Sequence, residues 1–169
     1  MKTLSILAAT YLNRLQFFAS FIAIAFALTV VLLTSSRPAM ASSCQKVKAT
    51  EIAGFTSPTT VEGTVIKGGI LNGRSLAVIT SAALPTPDAN VFSFTIAKSF
   101  ITEKGTLQTY SPHLYDFATG VGTAFARIDP NSSTGAFAGA TGLLYINFYQ
   151  NEGGLTSTSE ITGNICIAQ

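Results

Sequence analysis

The sequence predicts an all-β fold: a closed eight-stranded antiparallel up-and-down barrel preceded by an N-terminal signal helix. Three observations carry that expectation. Beyond residue 41, apolar residues recur with period 2 and never sustain a 3.6-residue period. All 14 glycines lie in that same region, grouped with Pro, Asn and Asp between segments rich in β-branched and aromatic residues. Cys44 and Cys166, the two cysteines, stand at its opposite ends.

The first 41 residues read as an export signal. Lys2 and Arg14 precede residues 15–33, where only Gln16, Ser20 and Thr29 are not apolar, and Ala39-Met40-Ala41 follows. A basic start, an apolar stretch and small residues at the −3 and −1 positions suit signal peptidase. Cleavage near Ala41 then leaves a secreted or periplasmic domain over residues 42–169. The alternative is an uncleaved anchor, because the apolar run approaches the roughly 20 residues a spanning helix needs. Membrane contact is expected only through that segment. Lys2, Arg14 and Arg37 leave with it and no acid does, so seven basic residues face eight acidic ones in the remainder, a net charge of −1. Such a near-neutral domain has no electrostatic claim on nucleic acid or anionic lipid.

Strands are expected near residues 45–55, 59–68, 74–83, 91–103, 106–117, 121–129, 136–149 and 155–168. Turn chemistry separates them: Ser57-Pro58, Gly68-Gly69 with Asn72-Gly73, Pro85-Thr86-Pro87-Asp88, Lys104-Gly105, Thr119-Gly120, Asp129-Pro130-Asn131 and Asn151-Glu152-Gly153-Gly154. Eight strands with short connections favour a meander, and closure removes the two exposed edges that invite aggregation. In an exported chain an even cysteine pair is expected to form a disulfide rather than remain two buried thiols. A closed even-stranded meander sets its last strand beside its first, which would bring Cys44 to Cys166; a β-sandwich can also bring its termini together.

Gly135-Ala136-Phe137-Ala138-Gly139-Ala140-Thr141-Gly142, followed by Leu143-Leu144-Tyr145-Ile146, resembles the G-x-F-x-G-A-x-G stretch of the allene oxide cyclase-like and dirigent barrels. Residues 160–166, Glu-Ile-Thr-Gly-Asn-Ile-Cys, look like the closing strand of bacterial members. The resemblance implies an eight-stranded barrel with an apolar interior, in a dimer or trimer. It carries no catalytic residue over, since the acids of this chain align with neither active-site pattern. In physical terms, Gly139 and Gly142 allow a bulge or tight bend, and Phe137 would plug one mouth.

Alternation sets Thr109, Ser111, His113, Tyr115 and Phe117 on one face of the fifth strand, and Val121, Thr123, Phe125 and Arg127 on one face of the sixth. His113, Tyr115 and Arg127 would then meet in the lumen and hold a carboxylate or phenolate, through the Arg donor fork and a His that titrates near neutrality. The opposing expectation is that this cluster faces solvent. Phe92, Phe94, Ile96 and Phe100 line one face of the fourth strand, as core or as the wall of an apolar pocket. Asp116 and Asp129 are expected to cap turns, whereas Glu62 and Glu160 lie on strands as exposed residues or a carboxylate pair. No metal site or cofactor is expected: the chain has one His, no C-x-x-C and no G-x-S-x-G, and the glycine run at residues 68–73 precedes a strand.

The leading functional expectation is a non-catalytic binding or scaffold barrel for an apolar or aromatic small molecule. A competing expectation is an isomerase of the allene oxide cyclase kind or a dirigent-like coupling protein; a third is a structural surface module with a filled interior. Cavity volume separates the third from the others. Burial of His113 or Arg127 beside an apolar pocket would favour the enzyme.

Overall fold

The computed structural model describes residues 42–168; the expected signal segment, residues 1–41, lies outside the described residues. Nine strands follow in order: β1 (Ser42–Ser57), β2 (Thr60–Ile66), β3 (Gly73–Ile79), β4 (Leu84–Pro85), β5 (Val91–Thr102), β6 (Gly105–Asp116), β7 (Val121–Ile128), β8 (Thr141–Gln150) and β9 (Thr156–Ala168). All pairings are antiparallel, in the order β3-β2-β1-β9-β8-β7-β6-β5, and β3 returns to β5 through Arg74↔Ile101 to Ile79↔Ile96. Eight strands therefore close into a barrel of sequential neighbours, as the turn spacing predicts.

Two elements depart from expectation. The third strand stops at Ile79, and the two-residue β4 takes over the β5 edge near the mouth, with Leu84 opposite Ser93 and Pro85 opposite Phe92. Pro lacks a backbone donor, so Pro85 and Pro87 cannot extend a regular ladder. The strand expected to begin at 136 begins at Thr141, because residues 135–137 form a 3₁₀ turn. Gly135 and Gly139, both at positive φ, shape that loop.

The interior has two storeys. At one end the 3₁₀ turns Gly69–Leu71 and Gly135–Phe137 each push an apolar side chain into the lumen. Leu71 and Phe137 pack there with Phe100, Leu107, Leu144, Ile161 and Ile165, and Phe137 is 1% exposed. Phe137 is thus the plug its sequence position suggested. The barrel turns its corner at this end through Gly142 and Gly163 on adjacent strands, at φ +139° and +148°. A Cβ on Gly142 would stand 2.1 Å from the Asn164 carbonyl oxygen, so only glycine fits that bend.

β1 and β9 run together from Ser42↔Ala168 to Gly54↔Thr156 and form the seam. Cys44 lies directly opposite Cys166 in this ladder, with Cα atoms 3.9 Å apart, and the two form a disulfide. Linking residues 122 apart in sequence restricts the unfolded chain enough to stabilise the fold by about 5 kcal/mol in the chain-entropy account.

Candidate functional site

The other storey is open, and residue size explains why. Inward positions there are small: Ala53 on β1, Gly63 on β2, Ala77 on β3 and Gly122 on β7. A Cβ on Gly122 would lie 2.1 Å from the Phe148 ring, and one on Gly63 would press on Ser75 and Ala53. Side chains from the larger neighbours enclose a cavity of about 440 Å³, walled by Val61, Ile79, Phe94, Ile96, Ile146 and Phe148. It opens where the β1–β2 turn, the end of β6 and the start of β9 come together.

Aromatic rings collar the cavity. Phe94 stacks on His113 at 5.5 Å, Phe148 stacks on Tyr115 at 5.7 Å, and Phe117 meets Tyr115 edge-on at 4.6 Å. Phe92 extends this collar by an edge contact with Phe117 at 5.2 Å, and Phe117 itself is 62% exposed at the rim. Tyr115 donates to Gln150 Oε1 at 2.7 Å, and burial, then the adjacent Asp116 carboxylate, raises its phenol above the ordinary range.

Beneath the collar lies a polar floor. Glu51 is 1% exposed and accepts from Lys98 Nζ at 2.5 Å, from Ser75 Oγ and from Ser159. Burial alone would raise the Glu51 pKa, but the Lys98 charge and these hydrogen bonds prevail and lower it. Lys98 also stands 5.3 Å above the Phe100 ring, so the cation sits on top of the apolar plug. His113, 6% exposed, shares a hydrogen bond between its Nε2 and Ser111 Oγ at 2.9 Å. Its Nδ1 is buried without a hydrogen-bond partner among the described residues. Burial, reinforced by the Lys98 cation and opposed by Glu51, brings the His113 pKa down to about 4. The imidazole is therefore neutral at pH 7, not the titrating cation that its residue type suggests.

Of the residues expected to meet in the lumen, His113, Tyr115 and Phe94 line the cavity and Phe92 joins the collar. Arg127 does not. Along β7 the buried set is Gly122, Ala124, Ala126 and Ile128, and Arg127 points outward opposite Tyr110 of β6. The cause is register. Asp116 pairs with Val121 around a four-residue turn, so odd-numbered residues of β6 face even-numbered residues of β7: His113 meets Ala124, and Tyr115 meets Gly122.

Glu62 and Glu160 are both exposed on the outer surface, and Glu62 pairs there with Arg74 at 3.2 Å. They form no catalytic pair across a cleft. Asp116 caps its turn by accepting from the Ala118 amide and the Thr119 hydroxyl, each at 2.8 Å, and Asp129 does likewise for Asn131 and Ser132. Among the described residues no three His, Cys, Asp or Glu side chains converge as a metal site.

Sequence reasoning missed Glu51 and Lys98, although the signal was present. Both occupy the apolar phase of an alternating strand: Val47, Ala49, Glu51, Ala53 on β1 and Phe94, Ile96, Lys98, Phe100 on β5. An ionisable residue in that phase must be buried with a partner, and two of opposite sign in one barrel predict the pair.

No family model matches the chain, and no curated protein or solved structure is detectably similar to it.

Proposed function

We propose that this protein is an exported, non-catalytic binding barrel whose open storey holds an apolar or aromatic small molecule. One observation carries the reading: an aromatic-collared cavity of about 440 Å³ in the lumen, within the roughly 300–1,000 Å³ usual for small-molecule sites. That volume argues against a barrel filled throughout. Glu51 is committed to Lys98 and to the Ser75 hydroxyl, and Lys98 is paired with Glu51, which argues against either serving as a free acid or base. The disulfide supports an oxidising compartment.

A second reading has one observation in its favour. His113 is buried beside the apolar pocket with Nδ1 unpartnered among the described residues, as an isomerase of the allene oxide cyclase kind would require of a polar group that meets its substrate.

Calorimetric titration with naphthalene tests the leading reading. The protein is expected to bind one molecule saturably. Ala77→Phe, which puts a ring into the cavity, is expected to weaken binding at least about tenfold, a loss of some 1.4 kcal/mol. Tyr145→Ser, on the outer face of β8, is expected to leave binding unchanged. Naphthalene binding that Ala77→Phe does not alter would refute the site, and no binding of naphthalene or of a polar-headed naphthalene derivative would refute the reading.

A further inference from the structure

Deepening that reading, on which it rests, we propose that the cup selects a ligand with one uncharged hydroxyl at its leading end and discriminates against a carboxylate on the same apolar body. The argument starts from the floor. Glu51 and Lys98 bring opposite charges to 2.5 Å, so the pair presents no net charge to whatever lies above it. An ammonium carries three donors, and Glu51 takes one. Lys98 lines the cavity and keeps donor capacity there, while the Phe100 ring lies under it.

His113 supplies the second half. Ser111 satisfies Nε2, and Nδ1 is left buried beside the same cavity without a partner among the described residues. Whether Nδ1 carries the proton depends on the direction of the Ser111 hydrogen bond. A hydroxyl donates and accepts, so it complements either tautomer and can also accept from Lys98. A carboxylate accepts only. Its negative charge would also lose its hydration above a floor whose cation, Lys98, is already paired with Glu51. A ligand with no polar head would cover Lys98 and Nδ1 and leave them unsatisfied.

Three probes with one aromatic body separate these cases: naphthalene, 2-naphthylmethanol and 2-naphthoate, titrated calorimetrically at pH 7 into the disulfide-bonded protein. The alcohol is expected to bind at least about tenfold more tightly than naphthalene, and the carboxylate more weakly than either. Relative to Tyr145→Ser on the outer face, His113→Phe, which keeps a ring between Phe94 and Phe148, is expected to lower the ratio of alcohol to naphthalene affinity. The paired change Glu51→Gln with Lys98→Met gives the same readout should His113→Phe fail to fold. Equal binding of alcohol and hydrocarbon, or tightest binding of the carboxylate, would overturn the head-group assignment and leave the binding reading intact. Failure of all three probes to bind would remove the binding reading itself, and this inference with it.

Discussion

Lys98→Met is expected to destabilise the barrel by about 3–5 kcal/mol at pH 7, because it strands the Glu51 carboxylate in a dry interior. Glu51 is 1% exposed and Lys98 8%, so both are packed away from solvent even on the floor of the open storey. Desolvation of both ions offsets much of their attraction, and the large number is the cost of breaking the pair rather than the pair's net worth. The companion change follows from the same reasoning. Adding Glu51→Gln to Lys98→Met removes the uncompensated charge and retains an acceptor for Ser75 and Ser159. The double variant is therefore expected to recover more than half of the loss. Guanidinium unfolding of the wild type, both single variants and the double variant reads the coupling. A Lys98→Met penalty below about 1 kcal/mol, the size of an exposed pair, would show that the two charges are hydrated.

Acidification is expected to weaken the fold through His113. Its pKa is about 4 in the folded protein and 6.5 as an ordinary histidine, so between those values the unfolded chain binds more protons than the folded one. Stability therefore rises with pH across this window: the contribution is complete above 6.5 and is lost as pH falls to about 4. A shift of that size corresponds to about 3 kcal/mol. Burial is the main cause; Lys98 adds to it, Glu51 opposes it, and the flanking Phe94 and Phe148 carry no charge. Glu51, Asp116 and Asp129 also have lowered pKa values and lose stabilisation in acid, so the comparison must be made against His113→Phe. Unfolding free energies at pH 7, 5.5 and 4 are expected to fall more steeply for the wild type than for that variant. Parallel profiles would mean that the imidazole is solvated.

Much of the barrel was legible because each clue was local. Period-2 alternation, turn residues and the placement of Cys44 and Cys166 specify strand order without knowledge of side-chain volume. Phe137 was legible as a plug from its place in a glycine-rich stretch, although that stretch was expected to be strand from residue 136 and forms a 3₁₀ turn instead. The site was less so, since it depends on which face of each strand turns inward. On β6 the buried face contains Thr109, Ser111 and His113, which alternation identifies as one set but does not orient. On β7 the inward set is the small one, Gly122, Ala124 and Ala126, while Phe125 and Arg127 face out, so hydrophobicity pointed the wrong way. The cavity itself comes from those small residues. Their meaning appears only when Phe148 is seen to occupy the space above Gly122.

The central claim is that the lumen is plugged at the Cys44–Cys166 end and open to a small molecule at the other. Intermolecular nuclear Overhauser effects from bound naphthalene test it most directly. The account predicts contacts to the methyl groups of Ala77, Ile96 and Ile146 and to the rings of Phe94 and Phe148, with none to Leu71, Leu107 or Phe137. Contacts confined to Tyr110, Phe125 and Tyr145 on the outer wall, or reaching Leu71 and Phe137 in the plug, would contradict it.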